Sequence, residues 1–216
     1  MERQWYNRRY SIFLFSFLLV LFGDILVSSK WDQVAQTILI LQNMLLSLLL
    51  FHEANRLYKL VMVLILILGT FFRIYDHMVP EFPGHVFLFI YLIYFLLVSK
   101  QIYADLMYQR ELGIETISAA FSGYILMGTV FSLIFVSMGI SGAFRGPDGV
   151  VPVGDYLYFS FVSLLTIGYG DITPATELSK KVIILEGLMG HFYTVFVVGI
   201  VIGKFLNRQK LELTDK

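Results

Sequence analysis

The stretch SLLTIGYGDITP, Ser163 to Pro174, separates two of the most apolar runs in the chain. Within it, Thr166 to Asp171 brings together two glycines, a tyrosine and an aspartate. The flanking runs, Ile117–Ile140 and Lys181–Leu206, each reach the roughly 20 mostly apolar residues needed to cross a hydrocarbon core. Between the first run and the loop lies Asp155–Thr166. It is amphipathic and too short to span, which predicts a re-entrant half-helix.

Four more apolar runs precede these: Tyr10–Val27, Val34–Phe51, Leu57–Tyr75 and Phe82–Val98. The last is marginal, because it opens on FPGH, Phe82 to His85. Of the 216 residues 57% are hydrophobic and only 15% charged, against about 25% in a typical soluble domain. Mean hydropathy is +0.75. So much apolar surface cannot be hidden from water, and the class expected is an all-α membrane protein. Formal net charge is zero, so nothing points to a nucleic-acid partner. The chain has no cysteine, which excludes disulfides and thiolate metal sites. The first run is long, and VSSKWDQ after it is a poor cleavage site, so it counts as a span rather than a signal peptide.

Six spans place both termini on one side. With the termini cytoplasmic, the outer segments hold Lys30, Arg73, Arg145, Lys180 and Lys181, and the other eleven of the 16 basic residues lie inside. The positive-inside rule therefore favours cytoplasmic termini, with the Asp155–Pro174 loop entering from outside. The polar stretch QIYADLMYQRELGIET, Gln101 to Thr116, marks a change of composition. It is expected to be an interfacial linker helix (residues 101–116) between a four-helix transmembrane module (1–100) and a two-helix pore module (117–216). Leu211–Lys216 reads as a short tail, so no ligand-sensing domain is expected after the last span.

Irregular backbone at membrane depth is tolerated only where protein buries it or water reaches it. TIGYGD must therefore line something aqueous. Gly168 and Gly170 can take positive φ without a Cβ clash. A strand alternating left- and right-handed residues turns successive carbonyls to one side. Several such strands in a ring make carbonyl cages for a dehydrated cation. One chain supplies one strand, so a closed cyclic homotetramer in the lipid bilayer is expected.

TIGYGD resembles the selectivity-filter signature of potassium channels. The resemblance covers the last hundred residues, as outer helix, pore helix, filter and inner helix. DYLYFSFVSLLTIGYGDITP, Asp155 to Pro174, is similar to the family's pore-helix-plus-filter block, with Tyr158 and Phe159 at its aromatic positions. The resemblance implies that carbonyls of Thr166, Ile167, Gly168 and Tyr169 coordinate permeant K+, with the Thr166 hydroxyl closing the innermost site. It implies that the Tyr169 ring packs behind the filter. Asp171 would lie at the outer mouth, hydrogen-bonded to a pore-helix aromatic such as Tyr158. The partial negative charge at the pore helix's C-terminus would favour a cation. Leu165 departs from the pattern, because many members carry threonine there.

The inner span carries glycines at 187, 190, 199 and 203. Gly187 reads as a packing glycine. Gly190 lies 19 residues after Asp171, an offset that resembles the family's hinge glycine. Glu186 is an intramembrane acid and a functional candidate by default. It is expected either to take a hydrogen bond from Ser163 or a tyrosine hydroxyl, or to sense protons. LEGLMGHFY, Leu185 to Tyr193, is similar to inner-helix sequence of small bacterial channels of this superfamily. His191 reads as an interhelical hydrogen-bonder or, facing the cavity, as a pH-sensitive group.

Six spans with one pore loop resemble the voltage-gated layout, in which the fourth span carries repeated arginines. The fourth span here has none, and its first basic residue is Lys100. Each charge moved through 100 mV is worth about 2.3 kcal/mol, so this module cannot supply steep voltage gating. Asp24 and Arg73 are candidates for a structural pair. The reading is a passive, potassium-selective channel of the cell membrane, not voltage-gated. A weakly selective cation channel and a non-conducting modulatory subunit are the alternatives. No nucleophile–base pair, metal-ligand cluster or phosphate loop suggests an enzyme.

Overall fold

The computed structural model describes residues 8–23, 32–51, 56–78, 85–108 and 113–214. The chain is mostly helical and forms two compact units, Met1–Gly123 and Tyr124–Lys216. Among the described residues, three helical stretches are long and apolar enough to cross a membrane: Leu88–Met107, Ile114–Gly139 and Glu177–Ile200.

The first unit contains α1 (Arg9–Phe22), α2 (Asp32–Ser47) with a 3-10 turn at Leu48–Phe51, α3 (Arg56–Met78), α4 (His85–Tyr108) and the start of α5 (Ile114–Gly139). α1 packs on α2, and α3 on α4. Tyr10, Phe13, Phe17, Met44, Phe51, Met62 and Tyr94 fill the core. Some of the polar groups inside are paired across helices, as burial in an apolar medium favours. Asn43 Nδ2 donates to Ser16 Oγ at 2.7 Å, and the Tyr94 hydroxyl donates to the Met44 carbonyl at 2.6 Å.

The start of α1 is held by acids from distant helices. Arg8 at its N-cap makes no side-chain cap. Instead the Tyr10 amide donates to Glu115 Oε2 at 2.8 Å, and Ser11 Oγ bonds the other oxygen of the same carboxylate. Asp105 on α4 receives Arg9 Nη2 at 3.2 Å and the Tyr10 hydroxyl.

Of the expected linker helix 101–116, residues 101–108 continue α4 and 114–116 begin α5, and 109–112 lie outside the described residues. The reason is local: no glycine or proline interrupts His85–Tyr108, and the polar residues simply extend the apolar helix. Gly113 precedes α5 and accepts the first amide bonds of that helix, from Thr116 and Ile117. Asp24 and the Arg73 side chain lie outside the described residues, as does the FPG opening of the fourth apolar run.

The second unit runs from Tyr124 in α5 through β1 (Phe144–Arg145), α6 (Asp155–Leu164) and β2 (Thr173–Pro174) to α7 (Glu177–Thr214). α6 has 10 residues, about 15 Å of helix at 1.5 Å per residue, half the thickness of a hydrocarbon core. β1 and β2 are antiparallel, with Phe144 opposite Pro174 and Arg145 opposite Thr173. The chain leaving the loop is thereby stapled to the chain leaving α5, and the Ala175 amide extends the staple to Ala143 O at 2.9 Å. Phe135, Phe144 and Phe159 form an aromatic core, each pair of rings 5.3–5.5 Å apart.

α7 begins with a reciprocal cap. The Ser179 amide donates to Thr176 Oγ1 at 3.2 Å, and the Thr176 amide donates to Ser179 Oγ at 3.1 Å. From there the helix runs unbroken for 38 residues. It starts earlier and ends later than the apolar run Lys181–Leu206, because the flanking polar residues are good helix formers.

Candidate functional site: a strained loop hung from a short helix

α6 ends at Leu164, and Leu165 caps it with φ −81° and ψ 3°. The next three amides fold back onto the helix. Thr166 N donates to Ser163 O at 3.0 Å, and Ile167 N and Gly168 N donate to Val162 O at 2.9 and 3.3 Å. The start of TIGYGD therefore takes its position from the last turn of α6.

Beyond that point the backbone alternates in hand. Thr166, Gly168 and Gly170 have φ of 59°, 59° and 79°, and among the described residues no other non-glycine has positive φ. For the two glycines this is inexpensive. For a β-branched threonine it is an outlier that costs about 1–3 kcal/mol. Strain of that size persists only where surroundings impose it, and it collects at functional sites.

Within a single chain the loop is uncovered: Thr166 to Asp171 are all exposed. Ile167 is 49% and the Tyr169 ring 70% exposed, so their own subunit does not pack against them. At the outer end Ile172 is buried. The Asp171 carboxylate acts on the Tyr158 phenol and holds it above its ordinary pKa of 10.0.

Behind the loop, α5, α6 and α7 meet in two layers one helical turn apart. In the first, Ser160 of α6 places its Oγ 2.8 Å from the Gly128 carbonyl of α5 and 2.5 Å from Glu186 Oε1 of α7. In the second, Leu164 lies against Gly190, and the Tyr124 hydroxyl donates to Leu164 O at 3.1 Å. The Tyr124 and Tyr193 rings join α5 to α7 with centroids 5.8 Å apart.

The residues singled out in the sequence fall as follows. Glu186 is fully buried and its hydrogen-bond partner is Ser160, not Ser163 or a tyrosine. Ser163 instead contributes its carbonyl to the turn into the loop. Gly190 packs tightly, whereas a Cβ at Gly187 would meet nothing within 4 Å of its own chain, so the packing expected there is absent within the subunit. His191 is exposed on α7. Ser160, Leu164 and Tyr124 escaped the sequence reading. Ser160 and Leu164 stand four apart in α6, as Glu186 and Gly190 do in α7, a matched spacing that carries the signal; Tyr124 carries none.

Residues 119–207 match a family described as an ion channel. The chain is also similar to Two pore potassium channel c of Oryza sativa subsp. japonica, 40% identical over 85 residues, 36% of this chain and 19% of that protein. Two-pore potassium channel 3 of Arabidopsis thaliana is 31% identical over 88 residues, 38% of this chain and 20% of the relative. Two-pore potassium channel 4 of Arabidopsis thaliana is 25% identical over 113 residues, 50% of this chain and 39% of the relative. The chain thus spans no more than 39% of the length of these curated relatives. No solved structure matches the chain at a significant level. The residues that match the ion-channel family cover most of the second unit, and the long apolar helices support a multi-pass, helical membrane protein.

Proposed function

We propose that the chain forms a passive, potassium-selective channel, closed by four copies around one axis and lying in the cell membrane with cytoplasmic termini. The observation that carries this reading is the run of positive φ at Thr166, Gly168 and Gly170. A backbone of alternating hand presents successive carbonyls on one side, and these can replace the water shell of a dehydrated cation. In this reading Thr166, Ile167, Gly168 and Tyr169 coordinate K+, and Asp171 stands at the outer mouth. The relatives are named potassium channels.

Four copies are favoured because each chain offers one such strand. Apolar surface left open in the second unit supports this. Besides Ile167 and Tyr169, Leu188, Phe192 and Val195 of α7 are exposed. These surfaces suit contact with neighbouring copies. Gating by voltage is disfavoured, since the one lysine of α4 is Lys100 and the helix has no arginine.

Flux from purified protein in liposomes tests the proposal. The expected result is potassium flux that barium blocks, with sodium flux at background. Equal sodium and potassium flux points to a weakly selective cation pore, and no flux of either to a modulatory subunit.

A further inference from the structure

The contact between Ser160 and Glu186 cannot be described by one proton. Ser160 Oγ is 2.8 Å from Gly128 O and 2.5 Å from Glu186 Oε1. A serine hydroxyl carries a single proton, and a backbone carbonyl carries none and can only accept. The Ser160 proton is therefore committed to Gly128. The short contact on the other side needs a second proton, and only the side chain at 186 can bring it. The surroundings agree. Glu186 is fully buried, its Oε2 has no hydrogen-bond partner, and no lysine or arginine among the described residues pairs with it. An ionised carboxylate in that setting would be buried without compensation.

We infer that Glu186 is an uncharged hydrogen-bond donor, the first link of a chain running from α7 through Ser160 to the Gly128 carbonyl of α5. It is a positioning residue. It fixes the depth and tilt of α6, and α6 in turn holds the loop through Val162 O and Ser163 O. It is not a fixed negative charge that draws cations towards the pore. The inference rests on the channel reading for its functional consequence, but the hydrogen-bond chain itself is independent of that reading.

The test is single-channel recording of the purified full chain in planar bilayers of defined lipid. Wild type is compared with Glu186→Gln, Glu186→Leu and Ser160→Ala. Glutamine supplies the donor without a charge, so unitary conductance and mean open time should stay within about twofold of wild type. Glu186→Leu and Ser160→Ala should each shorten open time about tenfold, the loss expected for one buried hydrogen bond. Glu186→Gln that behaves like Glu186→Leu, or that lowers unitary conductance severalfold, overturns the inference. If the leucine or alanine variants fail to assemble, the glutamine comparison alone decides. If wild type passes no potassium, the channel reading fails, and infrared spectra still test the chain. A carbonyl band of a neutral carboxylic acid should be present in wild type and missing in Glu186→Gln. A band seen in neither overturns the inference.

Discussion

Gly190 of α7 lies directly against Leu164 at the end of α6. A Cβ at position 190 would stand 2.5 Å from Leu164 Cδ1 and 3.3 Å from its Cγ. Leu164 is buried, so its side chain has little room to withdraw. Overpacking of this kind costs about 1–3 kcal/mol, set against the roughly 1 kcal/mol that alanine gains over glycine in a helix. Gly190→Ala should therefore destabilise the second unit slightly and disturb gating. A double-mutant cycle with Leu164→Ala separates packing from hinge bending. If packing is the cause, the smaller neighbour relieves most of the defect in unfolding and in open probability, and the effects are strongly non-additive. A hinge role predicts that the gating defect survives in the double variant. Thr194 Oγ1 bonds the Gly190 carbonyl at 3.0 Å, a back-bond of the type that bends helices.

Gly168→Ala tests the loop at its most exacting point. No atom within 4 Å would obstruct the added methyl group, so the protomer fold should survive. The cost is conformational. At φ 59° an L side chain loses about 1–2 kcal/mol per residue, and in a tetramer it does so four times around one ring. Expression and assembly should be near wild type on size exclusion, while barium-sensitive potassium flux should be lost. Normal selective flux from this variant would count against the carbonyl-ring reading.

Tyr158→Phe removes the phenol hydroxyl on which Asp171 acts. The expected phenotype is a smaller steady-state current from faster loss of the conducting state, with the potassium-to-sodium ratio unchanged. The pH dependence has a definite sign. The neutral phenol is the form that Asp171 favours, and its pKa is raised above 10.0, chiefly by Asp171. Its contribution is therefore complete below pH 10 and is lost only as pH rises through the raised value. Currents titrated between pH 6 and 9 should show no change that disappears in Tyr158→Phe.

The loop was legible in the sequence because its geometry is encoded residue by residue. Two glycines at alternate positions announce positive φ, and the amphipathic stretch Asp155–Thr166 before them announces a helix too short to span. Thr166 was less legible, since its positive φ runs against its own preference while the amides of Thr166, Ile167 and Gly168 donate to the Ser163 and Val162 carbonyls. The partner of Glu186 was misplaced by one helical turn. The sequence marks a buried acid, but which turn of α6 faces it depends on how the two helices pack, with Leu164 against Gly190 one turn further on, a fit between two surfaces. Polarity alone does not end a helix: His85–Tyr108 has no glycine or proline in its interior, so the helix continues into the polar residues 101–108.

The tie between α1 and Glu115 was beyond reach of local reasoning, since Tyr10 and Glu115 are 105 residues apart. Its physical logic is nonetheless simple. A helix start leaves unsatisfied amides and a partial positive charge, and Arg8 and Arg9 add two more positive charges there. Glu115 answers both problems by accepting the Tyr10 amide at 2.8 Å and bonding the Ser11 hydroxyl. Removing a helix-capping acceptor costs about 0.5–2 kcal/mol. Glu115→Ala should lower the unfolding midpoint of the first unit in detergent by that order. Glu115→Gln, which keeps one acceptor oxygen, should recover part of the loss. Asp105→Asn probes the second acid, which binds Arg9 at 3.2 Å from a neighbouring helix. Because both acids act on the same turn of α1, the double variant Glu115→Ala/Asp105→Asn should lose a different amount from the sum of the single losses. Strict additivity in urea or thermal unfolding would show that the two carboxylates hold α1 independently.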